Sequence, residues 1–456
     1  MTDSCENVKQ KLDFFISEMA QNRWLFVNNP QSDFSRQDTG KLSFEDTLRL
    51  IIGMGKSTTN IEIAEYFNLD PDRVPSQSAF SQRRNQISSL AFEYLFDKFS
   101  CAFPRSTNTF KGRCILACDG SHIVYSTNEQ ILEDYADPHL INRKGYNHMH
   151  LNAFVDVSSK AIIDSVLQPG QKPNERLAFH EMLDHFQPEN PQNYIVTADR
   201  GYESYDLIFH CELKKLSYVF RVKAPTSSKS LLSSFICDLP DDKEEFDVSV
   251  TRFFTDKRTK IMKEQPQVYH YMNPYKNIPH FQPLLNGKHL YALQFRILKI
   301  KTAPDTFEYL ITNLPFSFDI SDIKACYHLR WGIEVSFRYL KHVNGLLFFH
   351  SKKPEFLKQE IYGNLILYNF GIFLANEAAE KAAEKDSENS NKNKYQYQVN
   401  FSDALRIARK YFIQRSNTEE NTIIRLLIKY VHAVKEELRQ FPRPLRGISA
   451  IHFAFR

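Results

Sequence analysis

Residues 321–341 read SDIKACYHLRWGIEVSFRYLK, and their pattern predicts a helix over 322–341 with Ser321 as its N-cap. At roughly 100° per residue, five polar side chains fall on one narrow face of this helix. They are Tyr327, Arg330, Glu334, Arg338 and Lys341. A second face is apolar and is expected to pack against the core. It carries Leu329, Ile333, Phe337 and Leu340. A solvated face with ion pairs four residues apart is the commoner meaning of such a polar stripe.

Two aspartates elsewhere in the chain give this stripe another possible meaning. Asp119 follows the apolar run 114–118, and Asp199 follows the apolar run 194–198, so each is predicted to end a short strand. A carboxylate at a strand end is a common place for a site on α/β folds, although a single one is usually a turn or cap residue. Together with Glu334, the two aspartates offer three oxygen ligands of the kind that Mg²⁺ and Mn²⁺ prefer. Phosphodiester chemistry uses two such ions, about 3.5–4 Å apart.

Three motifs resemble those of a known family. They are CILACDGSH at 114–122, IVTADRGY at 195–202, and the spaced set Tyr327-x2-Arg330-x3-Glu334-x6-Lys341. Together they resemble the DDE transposases of bacterial insertion sequences. The spaced set matches, residue for residue, the YREK signature of the insertion-sequence "four" group, and the DRGY tetrad is similar to that group's second-aspartate motif. The resemblance covers roughly residues 70–345.

The resemblance implies an RNase H-like fold in which Asp119 and Asp199 belong to the first and fourth strands. It implies that these aspartates and Glu334 are catalytic and hold Mg²⁺ or Mn²⁺, with two ions expected. It also implies a set of DNA-binding residues around the site. They are Arg200, Tyr202, Tyr327, Arg330, Arg338 and Lys341. Relatives with a β-rich insertion stack a flipped base on an aromatic side chain and cut through a DNA hairpin. The insertion here has no Trp, so Tyr269 or Tyr271 would have to take that role, and the hairpin step stays open.

A second DNA-binding element is predicted near residue 80. A short helical pattern at 60–67 is followed by the turn NLDPDRVP and then by SQSAFSQRRNQI at 76–87. Two helices joined by a turn can place the second helix in a major groove, and a plain helical hairpin fits the pattern equally well. In the first case, four polar side chains are candidates for DNA contact. They are Gln77, Ser78, Arg83 and Arg84.

The chain has 456 residues, too many for one ordinary core, and mixes helical with strand-like segments. We predict an α/β fold with an RNase H-like catalytic core, a β-rich insertion, and helical regions at both ends. The predicted segments are a helical DNA-binding region at 1–110, the first part of the core at 111–223, the insertion at 224–306, the second part of the core with the YREK helix at 307–378, and a polar linker with a helical basic region at 379–456.

Composition narrows the setting of the protein. The net charge of +4 permits nucleic-acid binding without demanding it. The longest apolar run, 365–375, is too short to span a bilayer, and the start of the sequence has no apolar signal segment. The seven cysteines are scattered without a CxxC pair, which argues against a zinc knuckle and a disulfide framework. We therefore expect a cytoplasmic bacterial protein that associates with the nucleoid and not with a membrane.

His148 and His150 are spaced as neighbours on one strand face, as zinc ligands can be. Because no other His or Cys cluster lies near them in sequence, we interpret them as part of a polar strand face.

These inferences favour a cut-and-paste transposase whose partners are the terminal inverted repeats of its element and the target DNA. Two ends must be held in one complex, so a homodimer on DNA is expected. One alternative is a nuclease of the same fold that does not join DNA strands. Another is a DNA-binding protein derived from a transposase that is no longer catalytic.

Overall fold

The computed structural model describes residues 7–35, 41–103, 109–128, 130–136, 145–240, 243–273, 278–388, 396–414 and 418–434. The helices in these ranges are α1 Val8–Gln21, α2 Phe44–Gly53, α3 Thr59–Tyr66, α4 Gln77–Gln86, α5 Leu90–Cys101, α6 Glu175–His185, α7 Tyr205–Leu213, α8 Lys260–Glu264, α9 Phe281–Leu285, α10 Ile320–Leu329, α11 Gly332–Arg338, α12 Pro354–Glu388, α13 Phe401–Ile413 and α14 Glu420–Lys429. The strands are β1 Cys114–Tyr125, β2 Tyr135–Ala136, β3 Tyr146–Asp156, β4 Ile162–Pro169, β5 Tyr194–Ala198, β6 Ser217–Val222, β7 Phe246–Thr255, β8 Tyr269–Tyr271, β9 Leu290–Ala303, β10 Thr306–Thr312, β11 Gln396–Val399 and β12 Val431–Val434. Within the same ranges, no helix combines the length and the apolarity that crossing a bilayer requires.

A ten-stranded sheet forms the centre of the described structure, with the order β4-β3-β1-β5-β6-β10-β9-β7-β8 and with β2 also paired to β3. Strands β1, β5 and β6 are parallel, whereas β3 and β4 are antiparallel to their neighbours. Helices α6 and α7 separate β4, β5 and β6 along the chain. The arrangement is a mixed α/β, RNase H-like fold, which confirms the predicted fold class.

Helices cover both faces of the sheet. Successive side chains of a strand point to opposite faces, so β1 contributes to the cores on both sides. Leu116 and Cys118 of β1 pack into the core that α6 and α7 cover. Ile115 belongs to a second core, which α10 covers on the other face. Ala117 lies in a third core, which α12 and the N-terminal helices share. By the same alternation, Asp119 faces the α10–α12 side of the sheet.

The segment predicted as an insertion, 224–306, extends the central sheet. Its strands β7, β8 and β9 join the sheet through the antiparallel pairing of β9 with β10. Tyr269 and Tyr271 lie on β8, the last strand of the order. The segment is therefore β-rich as expected, but its strands continue the core sheet and do not form a sheet of their own.

The N-terminal helices and the long helix α12 share one hydrophobic core with α13 and α14. Arg84 of α4 is buried in it and pairs with Glu360 of α12 at 2.8 Å. It also donates to Gln359 Oε1 at 2.8 Å and to the carbonyl of Phe356. This contradicts the prediction that Arg84 contacts DNA, because its guanidinium is buried in the interior.

Because the N-terminal helices and α12 share one core, the predicted boundary near residue 110 does not separate two cores. Helix α12 runs on to Glu388, past the predicted start of the polar linker at residue 379, and residues 389–395 and the basic tail 435–456 lie outside the described residues.

The predicted YREK helix is broken into two helices, α10 and α11, and then ends in a π-helical turn, Tyr339–Asn344. The N-cap of α10 is Asp319, which forms a capping box with Asp322, so the prediction of Ser321 was wrong. The break falls at Arg330 and Trp331. It turns Leu329 out to 41% exposure, whereas the sequence pattern placed this residue in the core. The other three apolar positions of that face are buried as predicted.

Candidate active site

Asp119 lies inside β1. The sequence pattern predicts that it ends this strand, so that prediction was wrong. The parallel pairing of β1 with β5 stops at Ala117 and Thr197. The antiparallel pairing of β1 with β3 continues to Tyr125, so the strand runs on past the aspartate. Asp119 therefore stands at the point where β1 loses its neighbour on one side, which opens the sheet there.

Asp199 directly follows β5, as predicted. It caps a short 3-10 turn, Arg200–Tyr202, and its Oδ1 accepts a hydrogen bond from the backbone N–H of Gly201 at 2.6 Å. Asp119 likewise accepts from the N–H of Gly120 at 2.9 Å. Both aspartates are thus held by backbone donors on two adjacent parallel strands.

Glu334 reaches the same place from α11. The guanidinium of Arg330 lies 3.6 Å from Oδ2 of Asp119 and 3.8 Å from Oε1 of Glu334. The helix break places Arg330 between α10 and α11, with its side chain largely buried. One fixed cation therefore contacts a carboxylate from the sheet and a carboxylate from the helix.

A further carboxylate, that of Glu175, acts on Asp119. Burial raises the pKa of Asp119 to about 6, Arg330 opposes this change, and Asp199 and Glu175 both add to it. Carboxylates that are partly buried and repel one another favour binding of a divalent cation, which offsets the charge that burial and crowding make costly. The donor set is all oxygen, so these residues fit Mg²⁺ or Mn²⁺.

Glu175 was missed by the sequence reasoning. It is the first residue of α6, and its Oε1 lies 3.3 Å from Nε2 of His150. The hydrogen bond from this histidine is the largest of the effects that lower the pKa of Glu175. An acid in the first turn of a helix is common for dipole reasons, so the position alone carried no signal. Only the fold brings α6 over the strand that carries Asp119.

Gly120 and Gly201 make room for Glu175. A Cβ atom on Gly120 would lie 2.2 Å from Cε1 of His150 and 2.9 Å from Oε1 of Glu175. A Cβ atom on Gly201 would lie 3.1 Å from Oδ1 of Asp199 and 3.6 Å from Oε2 of Glu175. Glu175 therefore lies against the residues that follow both aspartates.

His148 and His150 are buried on β3, and their rings contact the ring of His122. This agrees with a polar strand face.

The predicted DNA-binding residues of the YREK set differ in exposure. Arg338 is exposed, as is Arg200 beside Asp199. Lys341 is tied to β1, because its Nζ donates to Ser121 Oγ and to the carbonyl of His122, each at 2.7 Å. Burial lowers the pKa of this amine to about 8.

The two predicted tyrosines are both buried. Tyr327 is 9% exposed, and the guanidinium of Arg330 lies 5.6 Å from its ring centre. Tyr202 is 1% exposed and packs against Phe179 in the core beneath α6. This burial contradicts the prediction that Tyr202 contacts DNA.

The remaining candidates lie on α4, far from Asp119 in sequence. Gln77 and Ser78 are exposed in its first turn, and Ser76 caps it by accepting from the N–H of Ala79. Arg83 is half-buried, with its guanidinium over the ring of Phe34 at 4.8 Å. The exposed face of α4 therefore contains Gln77 and Ser78, with Arg83 at its border.

Comparisons with known proteins identify the family of the chain. Residues 110–370 match the family model described as a transposase DDE domain. No curated protein is significantly similar in sequence. Among solved structures, the chain is similar to the piggyBac transposase in the cryo-EM structure of its synaptic complex with hairpin DNA. The TM-score is 0.42 and the sequence identity 12%, over 94% of this chain and 82% of that chain.

Proposed function

Because the chain belongs to the family of proteins with a transposase DDE domain, we propose that it moves an insertion sequence by a cut-and-paste route. The observation that carries this proposal is the meeting of β1 and α11 at Arg330. Its guanidinium contacts Asp119 and Glu334, and the charge of Asp199 also stabilises it. These are the three carboxylates that the motifs single out.

DDE transposases generally use divalent metal ions. Asp119, Asp199 and Glu334 would hold Mg²⁺ or Mn²⁺, with two ions expected. When bound, such ions activate water or a 3′-hydroxyl and stabilise the leaving oxygen of a phosphodiester. The chain itself orients the carboxylates: Arg330 contacts two of them, and backbone N–H groups hold the aspartates.

Basic side chains around the carboxylates would bind the phosphates of the transposon end. Arg338 and Arg200 are exposed. Lys341 is held near Asp119 by its hydrogen bonds to Ser121 and His122 of β1. Contacts of this kind hold the DNA in register and weaken with salt, but they do not read its sequence. We assign sequence recognition to the exposed face of α4, where Gln77 and Ser78 could reach base edges.

Two transposon ends must be cut and joined together, so we propose that the protein acts on DNA as a homodimer. The donor DNA is the terminal inverted repeat, and the second substrate is target DNA. Two alternatives predict different products. A nuclease would release ends without joining them, and a non-catalytic descendant would bind the ends without cutting them.

The deciding experiment uses the purified full chain, Mg²⁺, a labelled duplex from the DNA that flanks its gene, and a supercoiled target plasmid. The proposal expects cleavage at the element end and covalent transfer of the label to the plasmid. Cleavage without transfer would favour the nuclease. Specific binding without cleavage in Mg²⁺ or Mn²⁺ would favour the non-catalytic protein.

A further inference from the structure

Three histidines from different parts of the chain meet beside helices α6 and α7. They are His180 of α6, His210 of α7 and His280, which directly precedes α9. One ring nitrogen from each lies within 4.8 Å of the others. The imidazole of His210 is buried, and those of the other two are only about one-sixth exposed.

Each of these imidazoles has a carboxylate on one of its two nitrogens. Asp206 Oδ2 lies 3.2 Å from Nε2 of His180 and 3.0 Å from Nδ1 of His280. Asp184 Oδ1 lies 3.1 Å from Nε2 of His210. A carboxylate fixes the tautomer of a histidine, because it accepts the N–H and leaves the other ring nitrogen with a lone pair.

The nitrogens left over face one another. Nδ1 of His180 and Nδ1 of His210 are 2.9 Å apart, and by elimination His280 offers Nε2. Two lone pairs at that distance repel unless a positive centre lies between or beside them. A tetrahedral zinc site holds its nitrogen ligands roughly 3.3 Å apart, since the Zn–N distance is about 2.0–2.1 Å. The 2.9 Å separation lies just below that value, and the other two separations are at most 4.8 Å.

We propose that His180, His210 and His280 form a binding site for a transition-metal ion, with Zn²⁺ as the best-fitting ion. Three imidazoles suit zinc, whereas Mg²⁺ prefers oxygen ligands, so this site is chemically distinct from the carboxylate group. Asp206 and Asp184 are its positioning residues, because they accept the outer N–H groups of the ligands.

The ion would link the segment after β8 to helices α6 and α7 of the core. His180 and His210 lie on helices that cover the RNase H-like sheet, whereas His280 lies in the predicted insertion. An ion held by all three ligands closes the chain between residues 210 and 280. Such binding stabilises the fold, because the unfolded chain does not hold the ligands together. Metal binding by these histidines does not depend on the proposed DNA chemistry.

No sequence pattern indicates this site, because its ligands follow no short metal-binding spacing. They are separated by 30 and 70 residues, the differences between 180, 210 and 280. Ordinary zinc motifs pair two ligands within a few residues, whereas only the fold brings these three together.

Metal titration of the full-length protein tests the proposal. After dialysis against a chelator, the wild-type protein is titrated with Co²⁺, whose tetrahedral complexes absorb visible light far more strongly than octahedral ones. We expect an intense band that saturates at one equivalent and disappears when Zn²⁺ is added. Asp119→Asn should keep this band, because the carboxylate group is a separate site. Absence of the band, together with absence of Zn²⁺ uptake at micromolar concentration, would overturn the proposal and leave a shared proton between the histidines.

Variants then identify the ligands. His280→Ala and His280→Gln should both lose the band, and Zn²⁺ should no longer raise their thermal midpoint. Asp206→Asn should weaken metal binding by about 10–100-fold. His289→Ala is the matched control, because His289 belongs to the same segment but pairs with Asp256 alone. Wild-type metal affinity in both His280 variants would refute the site, as would an unchanged thermal midpoint of the wild-type protein on metal binding.

Discussion

The guanidinium of Arg330 lies 3.6 Å from the carboxylate of Asp119, and this contact joins the broken YREK helix to the first strand of the sheet. An arginine keeps its charge at every accessible pH, so the contact is a fixed point in the site. Burial raises the pKa of Asp119, and the neighbouring acids Asp199 and Glu175 add to this effect. Asp119 is therefore the first residue to test.

Asp119→Asn is expected to abolish cleavage and to leave binding to the transposon end nearly unchanged. The amide keeps the shape of the side chain but loses the charge that would hold a metal ion. Cleavage and binding are measured on the same labelled duplex. Asp164→Asn is the control, because Asp164 is a buried acid of the same sheet that pairs with His185 instead. Wild-type cleavage by Asp119→Asn would remove this residue from the catalytic set.

Glu175→Gln is expected to reduce cleavage and to raise the Mg²⁺ concentration needed for half-maximal rate. A carboxylate that supports metal ligands without binding the ion typically contributes roughly 10–100-fold to metal affinity, and we expect an increase of that size. The change removes one negative charge beside Asp119 but leaves an oxygen near His150. The measurement is a Mg²⁺ titration of the cleavage rate. Glu181→Gln, an exposed position on the same helix, should behave as wild type. If both variants respond alike, Glu175 has no special role.

Gly120→Ala is expected to lower the free energy of unfolding and to slow cleavage strongly. Its Cβ would lie 2.2 Å from Cε1 of His150, a separation that forces the ring or the strand to move. Overpacking of this kind costs about 1–3 kcal/mol. Adding His150→Ala removes the clashing ring, so the double variant should recover stability relative to Gly120→Ala. Chemical denaturation measures both, and a fully stable single variant would contradict the close packing.

Lys341 should make DNA binding depend on pH. Burial lowers its pKa to about 8, so the amine loses its proton, and its attraction to phosphate, as pH rises through that region. Affinity of the wild type should therefore fall between pH 7 and pH 9 more than that of Lys341→Met. The stability of the free protein has the opposite pH dependence. Between about pH 8 and pH 10.5 the folded chain binds fewer protons than the unfolded chain at this amine, so the free energy of unfolding rises with pH in that window. Parallel pH profiles of the two proteins would argue against a phosphate contact.

Arg84→Ala should mainly lower stability, whereas Arg83→Ala should mainly weaken DNA binding. Removing Arg84 leaves Glu360 as a buried charge without its guanidinium, a loss that typically costs 3–5 kcal/mol of stability. Arg83 is half-buried and borders the exposed face of α4, so its loss should cost little stability and should weaken DNA binding. Thermal unfolding and DNA titration on each variant separate the two roles. Similar unfolding of both would contradict the burial of Arg84.

The sequence predicted β5 well because this strand has a clear apolar pattern. The run at 194–198 became β5 with the same bounds, and Asp199 follows it as expected. Local patterns failed where a distant segment decides the outcome. The pairing of β1 with β3 carries Asp119 into the middle of a strand, and Glu360 draws Arg84 into the core. Glu175 and the three histidines meet only through tertiary packing, to which helix and strand periodicity is blind.

The burial of Arg84 against α12 bears on how this protein could acquire new DNA targets. In many regulators the DNA-reading part is a separate module that can be exchanged without disturbing the rest of the chain. Here α4 is seated in the same core as α12, and Glu360 also receives a hydrogen bond from the backbone N–H of His350. Grafting a foreign reading helix would break these buried partners. Under the proposed role of α4, retargeting would therefore proceed by single replacements on its outward face, at positions such as Gln77 and Ser78.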